Sequence, residues 1–460
     1  MTVLTGEVVA ERLARVLPAE RVVVDRDVLV GLSQDKAGLT TYGDALAAVR
    51  PRTTAEVSAA LTVAADLGLP VVPRGAGSGL AGGANAVDGC LIVCVDAMAA
   101  VREVDPVERL AVVEPGVING DLKATVAAEG LWYPPDPASS AFCSIGGNVS
   151  TNAGGLCCVR WGVTSQYVLG LTLVLADGRV TTLGQRTAKG VTGLDLTHLV
   201  VGSEGTLGVV TEVTLRLRPA RPATWTMAAT FASVPACGDA VVALRRAGVE
   251  VGLLEVMDST TLRTIDDWRP TGLDDAEAML LAQVDRSGAV PDEDDGVQAF
   301  RAAVVAAGAV EVMVAADEVE AAWLLDLRKI AYPAFERLGQ VVLDDVCVPI
   351  RRLPDMIAGV AEIARRTGLV IGTFGHAGDG NLHPTIVVPP DGEAMAREAF
   401  GGIVGLAQRL GGTGTGEHGV GQLKTPYLGG ELDPTSRELM LRVKAAFDPE
   451  GRLNPGRAIG

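Results

Sequence analysis

Three of the chain's four histidines fall between positions 376 and 418. Two stand seven residues apart in His376-Ala377-Gly378-Asp379-Gly380-Asn381-Leu382-His383, and the third follows an acid in Gly416-Glu417-His418-Gly419. A lone histidine is usually a packed structural one. Two imidazoles and a carboxylate around an open position would instead make a catalytic divalent-metal centre, of zinc or of manganese or iron. An odd separation puts His376 and His383 on opposite faces of a straight strand, so the intervening Gly-Asp-Gly must reverse the chain if both rings are to converge. Glu417 and His418 are adjacent. On an extended backbone they point opposite ways, one able to bind metal while the other faces a second ligand.

A second chemistry-bearing stretch is Pro73-Arg74-Gly75-Ala76-Gly77-Ser78-Gly79-Leu80-Ala81-Gly82-Gly83. Five glycines in nine residues cost backbone entropy on folding. They make sense where successive N–H groups must curl around an anion, with Arg74 adding a positive charge. This reads as a diphosphate cradle. A companion stretch, Ser144-Ile145-Gly146-Gly147-Asn148-Val149-Ser150-Thr151-Asn152-Ala153-Gly154-Gly155, mixes glycines with short hydroxyl and amide side chains. It reads as a loop that makes room for a bulky flat ligand. No helix is evident directly after the first loop, so this is not the G-x-G-x-x-G dinucleotide fingerprint.

At 460 residues and 48% apolar composition the chain is folded and too long for one core, so two domains are expected. A formal charge of −17 repels phosphate backbones, and aromatics at 4% supply no stacking platform. No nucleic-acid partner is expected. Met1 to Arg12 carries acids and lacks an apolar core, no run is long enough to span a bilayer, and the seven cysteines form no CxxC. A cytoplasmic protein with reduced thiols and no iron–sulfur cluster is the expectation, with peripheral attachment at the inner face of a membrane left open.

The elements that must position these residues follow from periodicity. Residues 1–45 read as an N-terminal arm with no chemistry, including a short helix from Gly6 to Val16. Thr54 is placed to cap a helix with Glu56 in its first turn and Gly68 as its stop. Strands are expected at Leu69–Val72, Leu91–Val95 and Ala111–Gly116, and a helix at Asp121–Gly130. Leu169–Leu175 and Val180–Leu183 flank Asp177-Gly178 as a hairpin. Val209–Leu217 is a further strand, and His198 reads as structural. Around Arg218-Pro219-Ala220-Arg221-Pro222 dense glycine stops, which marks a boundary. Beyond it, helices are expected at Ala321–Glu336 and Pro354–Thr367, a strand at Val341–Val348, and a helix at Arg437–Phe447 before a turn-rich tail.

These motifs, together with Pro135-Asp136-Pro137, Gly202-Ser203-Glu204-Gly205-Thr206-Leu207-Gly208 and Leu453-Asn454-Pro455-Gly456, make the chain resemble the FAD-linked 2-hydroxy acid dehydrogenases of the vanillyl-alcohol oxidase superfamily. That group includes D-lactate dehydrogenase and the flavin subunit of glycolate oxidase. The resemblance covers residues 45–457. It implies an α+β protein: a two-lobed FAD-binding domain of the p-cresol methylhydroxylase (PCMH) type over 46–222, a cap with an antiparallel sheet over 223–445, and a tail, 446–460, returning to the FAD domain. FAD would be held by Pro73, Arg74, Gly75, Ala76, Gly77, Ser78 and Gly79 around the pyrophosphate. Pro135, Asp136, Ser144, Gly147, Asn148, Thr151, Asn152, Gly154, Glu204, Gly208, Val209 and Asn454 would line the rest. Ser78 stands where some relatives carry a flavin-linked histidine, so non-covalent FAD is implied.

By the same resemblance His376, His383 and Glu417 ligate a divalent metal, zinc first. His418 is the general base and Arg328 the clamp for the substrate carboxylate. The implied reaction oxidises a D-2-hydroxy acid to the 2-oxo acid by hydride transfer to flavin N5, with electrons passed to a quinone, a cytochrome or an electron-transfer flavoprotein. Hydroxyglutarate dehydrogenases carry a lysine near the position of Leu343. Its absence points to a monocarboxylate such as D-lactate or glycolate. The alternatives are the flavin subunit of a glycolate oxidase complex, a D-2-hydroxyglutarate dehydrogenase and, more distantly, the non-redox alkylglycerone-phosphate synthase. A homodimer is left open.

Overall fold

The computed structural model describes residues 4–187 and 189–459. Residues 1–3 of the expected arm and residue 460 of the tail lie outside them. The chain folds as two compact units. The first comprises the described parts of Met1–Gly154, Val163–Arg221 and Glu417–Gly460, and the second Gly155–Gly162 and Pro222–Gly416.

The first unit begins with a sheet buried on both faces. Its strands are β1 (Val22–Val23), β2 (Ala47–Val49), β3 (Val71–Arg74) and β4 (Leu91–Cys94), in the order β1-β2-β4-β3. β4 runs parallel to β2 and β3. Ala47, Val49, Val71, Leu91 and Val93 enter one core with Val57, Leu61 and Ala64 of the helix Thr54–Leu67. Ala48, Val72, Ile92 and Cys94 enter the core on the other face. Near-continuous apolar runs are what a doubly covered parallel sheet demands. The helix is capped by Thr53, whose hydroxyl accepts the Glu56 N–H, and not by Thr54. Thr54 is already helical and donates to Thr211 Oγ1 at 3.0 Å.

A second, antiparallel sheet follows. Its region holds β5 (Val101–Asp105), β6 (Leu110–Val113), β7 (Leu131–Trp132), β8 (Val168–Val174), β9 (Val180–Gly184), β10 (Val209–Arg216) and β11 (Arg218–Pro219). Five of these pair in the order β5-β6-β10-β8-β9, while β7 pairs with β11. The expected hairpin is β8–β9.

Two expectations about organisation are corrected. The N-terminal arm is part of the first unit: Val9 and Leu13 of the helix Gly6–Leu13 are fully buried in its core, and β1 pairs with β2. Residues 417–445, expected in the cap, also belong to the first unit. The helix Pro434–Phe447 packs Val443 and Phe447 against the second-sheet core, and Lys444 Nζ donates to the carbonyls of Thr206 and Leu453. The tail then runs beside β3, where the Asn454 N–H donates to the Val71 carbonyl at 2.8 Å.

The second unit is one antiparallel sheet with helices packed on it. The strands are β12 (Thr224–Phe231), β13 (Val251–Asp258), β14 (Ala278–Asp285), β15 (Ala309–Val314), β16 (Gln340–Leu343), β17 (Val346–Cys347), β18 (Ile371–His376) and β19 (Asn381–Val388). Their order is β15-β12-β14-β13-β18-β19-β16, with β17 also on β19. The strand expected over Val341–Val348 is broken at Asp344-Asp345, both fully buried. The helix Glu318–Glu336 buries Leu324, Leu327, Ala331 and Phe335 against this sheet. No helix among the described residues is long and apolar enough to cross a membrane.

Candidate active site

In the first unit the glycine loop leaves the end of β3, where Pro73 and Arg74 pair with β4. Arg74 is buried, and its Nη1 donates to the Gln34 carbonyl at 2.9 Å. The loop folds back over this guanidinium: Gly77 has φ +70°, and a Cβ there would lie 2.1 Å from Arg74 Nη2. Only glycine fits such a left-handed turn pressed on a side chain. The Gly79 carbonyl accepts the Lys36 N–H, and Ala76 donates its N–H to Ser144 Oγ at 3.3 Å. Ser78 is a partly buried loop residue.

Ser144 also caps a helix, Ile145–Thr151, where the sequence predicts a loop. Its hydroxyl accepts the Gly147 N–H. The expected loop therefore starts as a helix N-terminus beside the glycine loop, an arrangement with positive potential. Thr151 Oγ1 donates to the Gly147 carbonyl, Asn152 closes the helix in the left-handed region, and buried Gly154 follows. Asn148 turns inward, accepting from Asn119 Nδ2 at 3.0 Å, and the same Nδ2 reaches the buried Pro135 carbonyl. Asp136 is partly exposed next to it. Asn119 itself carried no sequence signal. Gly208 leaves room for Leu173, whose Cγ would lie 2.6 Å from a Cβ, and Val209 is buried at the start of β10.

Glu204 was expected to line the flavin. Its carboxylate accepts the Val420 and Gly421 N–H groups, both at 2.7 Å, and its backbone is left-handed. Burial raises its pKa, and those N–H groups offset this only in part. Asn454, also left-handed, donates Nδ2 to the carbonyls of Gly83 and Glu204. Its Oδ1 is a buried acceptor with no partner among the described residues, as a site built to receive a donor from a bound group would leave it.

In the same unit, Glu417 and His418 are not on an extended backbone. Residues 416–418 are bent, and His418 Nε2 lies 3.9 Å from Glu417 Oε1. The expectation of opposed side chains fails for that reason.

In the second unit β18 and β19 form a hairpin whose register resolves the odd spacing. His376 pairs with Asn381 and Phe374 with His383, so His376 and His383 share a face. Their ring centroids are 5.0 Å apart and nearly perpendicular. The strands close tightly at Gly375, where a Cβ would lie 2.5 Å from the Asn381 carbonyl oxygen. Across the sheet, His376 pairs with Glu255 of β13. Glu255 Oε1 is 2.7 Å from His376 Nδ1, and Oε2 accepts from Arg328 Nε at 2.6 Å. Burial alone would raise the Glu255 pKa, but His376 and Arg328 outweigh it and hold the carboxyl below its usual range. Arg328 is buried, with its guanidinium carbon 4.7 Å from the Phe374 ring centre. Leu343 packs against the apolar core beneath.

Asp345, also buried, ties this face to the next segment. It accepts from Asn381 Nδ2 at 2.7 Å, from Thr415 Oγ1 at 3.0 Å and from the Gly416 N–H at 2.9 Å, and lies 3.7 Å from His383 Nδ1. Two perpendicular imidazoles flanked by carboxylates are a nitrogen and oxygen donor set suited to zinc, manganese or iron. Sequence reasoning missed Glu255 and gave Asp345 no role. Neither stands at ligand spacing from a histidine in the chain.

Comparison with known proteins agrees with both halves. Residues 45–184 match the family described as FAD binding domain, and residues 221–458 match FAD linked oxidases, C-terminal domain. The glycolate oxidase subunit GlcD of Bacillus subtilis (strain 168) is 40% identical over 416 residues, 89% of this chain and 88% of that protein. A D-lactate dehydrogenase of Archaeoglobus fulgidus is 34% identical over 416 residues, 89% of this chain and 90% of that one. Among solved structures, the 4-ethylphenol oxidase from Gulosibacter chungangensis in complex with isoeugenol superposes with a TM-score of 0.81 at 18% identity, over 98% of this chain and 96% of that one, which bears on the fold alone. With two family matches along its length and relatives of this identity, the chain belongs to the FAD-linked oxidases and is an FAD-linked oxidoreductase.

Proposed function

We propose that this protein is a metal-dependent dehydrogenase of D-2-hydroxy monocarboxylic acids, D-lactate or glycolate in particular. The observation that carries this reading is a buried cation, Arg328, on the same sheet face as the imidazole pair His376 and His383. A 2-hydroxy acid offers a carboxylate to the one and a hydroxyl oxygen to a metal held by the other. The apolar Leu343 favours a monocarboxylate over a dicarboxylate.

The Arg74–Gly79 loop, Ser144 and Asn454 would hold FAD, which would supply the acceptor for the hydride from the α-carbon. His376 and His383, with Glu417, would hold the metal, which would supply a Lewis acid that lowers the pKa of the substrate hydroxyl. Glu417 follows Gly416, whose N–H Asp345 fixes. The remaining work belongs to this chain's side chains. Arg328 binds the carboxylate and so turns the α-carbon. The His418 imidazole takes the hydroxyl proton, without which the α-carbon cannot become a carbonyl as hydride departs. Electrons then pass from the protein to an external acceptor.

The test is anaerobic mixing of the purified protein with glycolate, D-lactate, L-lactate and D-2-hydroxyglutarate while the flavin absorbance is followed. Bleaching by D-lactate or glycolate, lost after chelation and restored by zinc, is the expected result. Bleaching by hydroxyglutarate alone, or by none, overturns the substrate class. The 40% identity to a glycolate oxidase subunit favours a second reading, a flavin subunit that needs partners. Turnover of the isolated chain with a soluble dye separates the two.

A further inference from the structure

Glu255 sits in the middle of β13 between apolar neighbours, Leu253, Leu254, Val256 and Met257, all buried. It is itself 0% exposed. A buried carboxylate is costly unless both oxygens are bonded, and here each reaches a different member of the proposed site. A carboxylate kept only to balance Arg328 would be free to turn both oxygens to its guanidinium. Here one of them is spent on the His376 ring.

We infer that Glu255 is a positioning residue that couples the metal half of the site to the substrate half. The inference rests on the reading of His376 as a ligand and Arg328 as the clamp. Through Oε1 it holds the proton on His376 Nδ1, which makes Nε2 the ligating nitrogen. Through Oε2 it engages Arg328 Nε, so the guanidinium meets a substrate carboxylate with its Nη edge. Cross-strand pairing of Glu255 with His376 fixes the first contact in the backbone register. Only a residue with two acceptor oxygens can serve both N–H groups at once. A glutamine has one. Its amide nitrogen would face either Arg328 Nε–H, a repulsive contact, or His376, where it demands a bare Nδ1 and shifts the ring proton to Nε2.

The test uses the FAD-loaded protein and Glu255→Gln. Zinc affinity, read by competition with a chelating dye, is expected to fall about 10- to 100-fold. The KM for the acid is expected to rise, while the flavin spectrum is unchanged. Glu255→Asp, which keeps two acceptors, is expected to recover part of the zinc affinity. Zinc affinity within twofold of wild type in Glu255→Gln overturns the inference and leaves the metal reading standing. A wild-type protein that takes up no zinc overturns the metal reading itself. A measurement on the wild type does not depend on how a variant folds: with ¹⁵N-labelled histidine and only four histidines to assign, the His376 signal, identified by its loss in His376→Asn, is expected to show the proton on Nδ1 in metal-free protein. A proton on Nε2 overturns the inference.

Discussion

His418 and Glu417 occupy a bend, with His418 Nε2 3.9 Å from Glu417 Oε1, so the proposed base sits beside the proposed ligand. His418→Ala is expected to lower the rate of flavin reduction by on the order of 10²–10⁴-fold, the usual worth of a positioned general base, with FAD still bound. Anaerobic stopped-flow absorbance measures both, and reduction at the wild-type rate would remove His418 from that role. At this scale residue types were readable from the sequence but their partners were not. Arg328 was singled out as a cation in a helix. That it is buried, and that its Nε is held by a glutamate 73 positions away, depends on strand order. Glu204 shows the converse. The motif around it is legible in the sequence, while the hold of its carboxylate on the backbone of Val420 and Gly421 is a tertiary contact.

Ser144 joins two elements through one oxygen, capping the helix Ile145–Thr151 and accepting the Ala76 N–H of the glycine loop. Loss of a cap costs about 1 kcal/mol, and here part of that falls on the loop proposed to hold FAD. Ser144→Ala is expected to weaken FAD binding by about fivefold with the fold retained. Fluorescence titration of the apoprotein checks it, and an unchanged affinity would separate the cap from the loop. The helix was hidden in the sequence because Gly146 and Gly147 are poor helix formers, and tertiary packing of Ile145 and Val149 overrides them. The β18–β19 hairpin was partly legible. Gly378 and Gly380 signalled a reversal, but the pairing of His376 with Asn381, which settles the shared face, is a matter of register.

The whole molecule carries a formal charge of −17, while the proposed substrates are anions. Long-range repulsion slows their approach, and salt shortens its reach from ~30 Å at ~0.01 M to ~8 Å at ~0.15 M. kcat/KM for the acid is expected to rise by about twofold over that range, where steady-state assays with an uncharged dye acceptor would follow it. A fall would show that the positive field around Arg328 governs approach instead.

By itself the sequence determined the local conformations and the chemistry on offer. Glycine clusters marked where the backbone must turn back on a neighbour, apolar periodicity marked most helices and strands, and the motifs marked an FAD-linked oxidoreductase. These are properties of neighbouring residues, and neighbours are what a sequence displays. The tertiary structure decided which distant groups meet. It merged residues 4–45 and 417–445 into the first unit, because Val9, Leu13, Val443 and Phe447 find their apolar partners there. It also set Glu255 against His376 and Arg328, because β13 lies beside β18 only once the order of the whole sheet is fixed. Strand order is selected by burial summed over the unit, and no local pattern carries that sum.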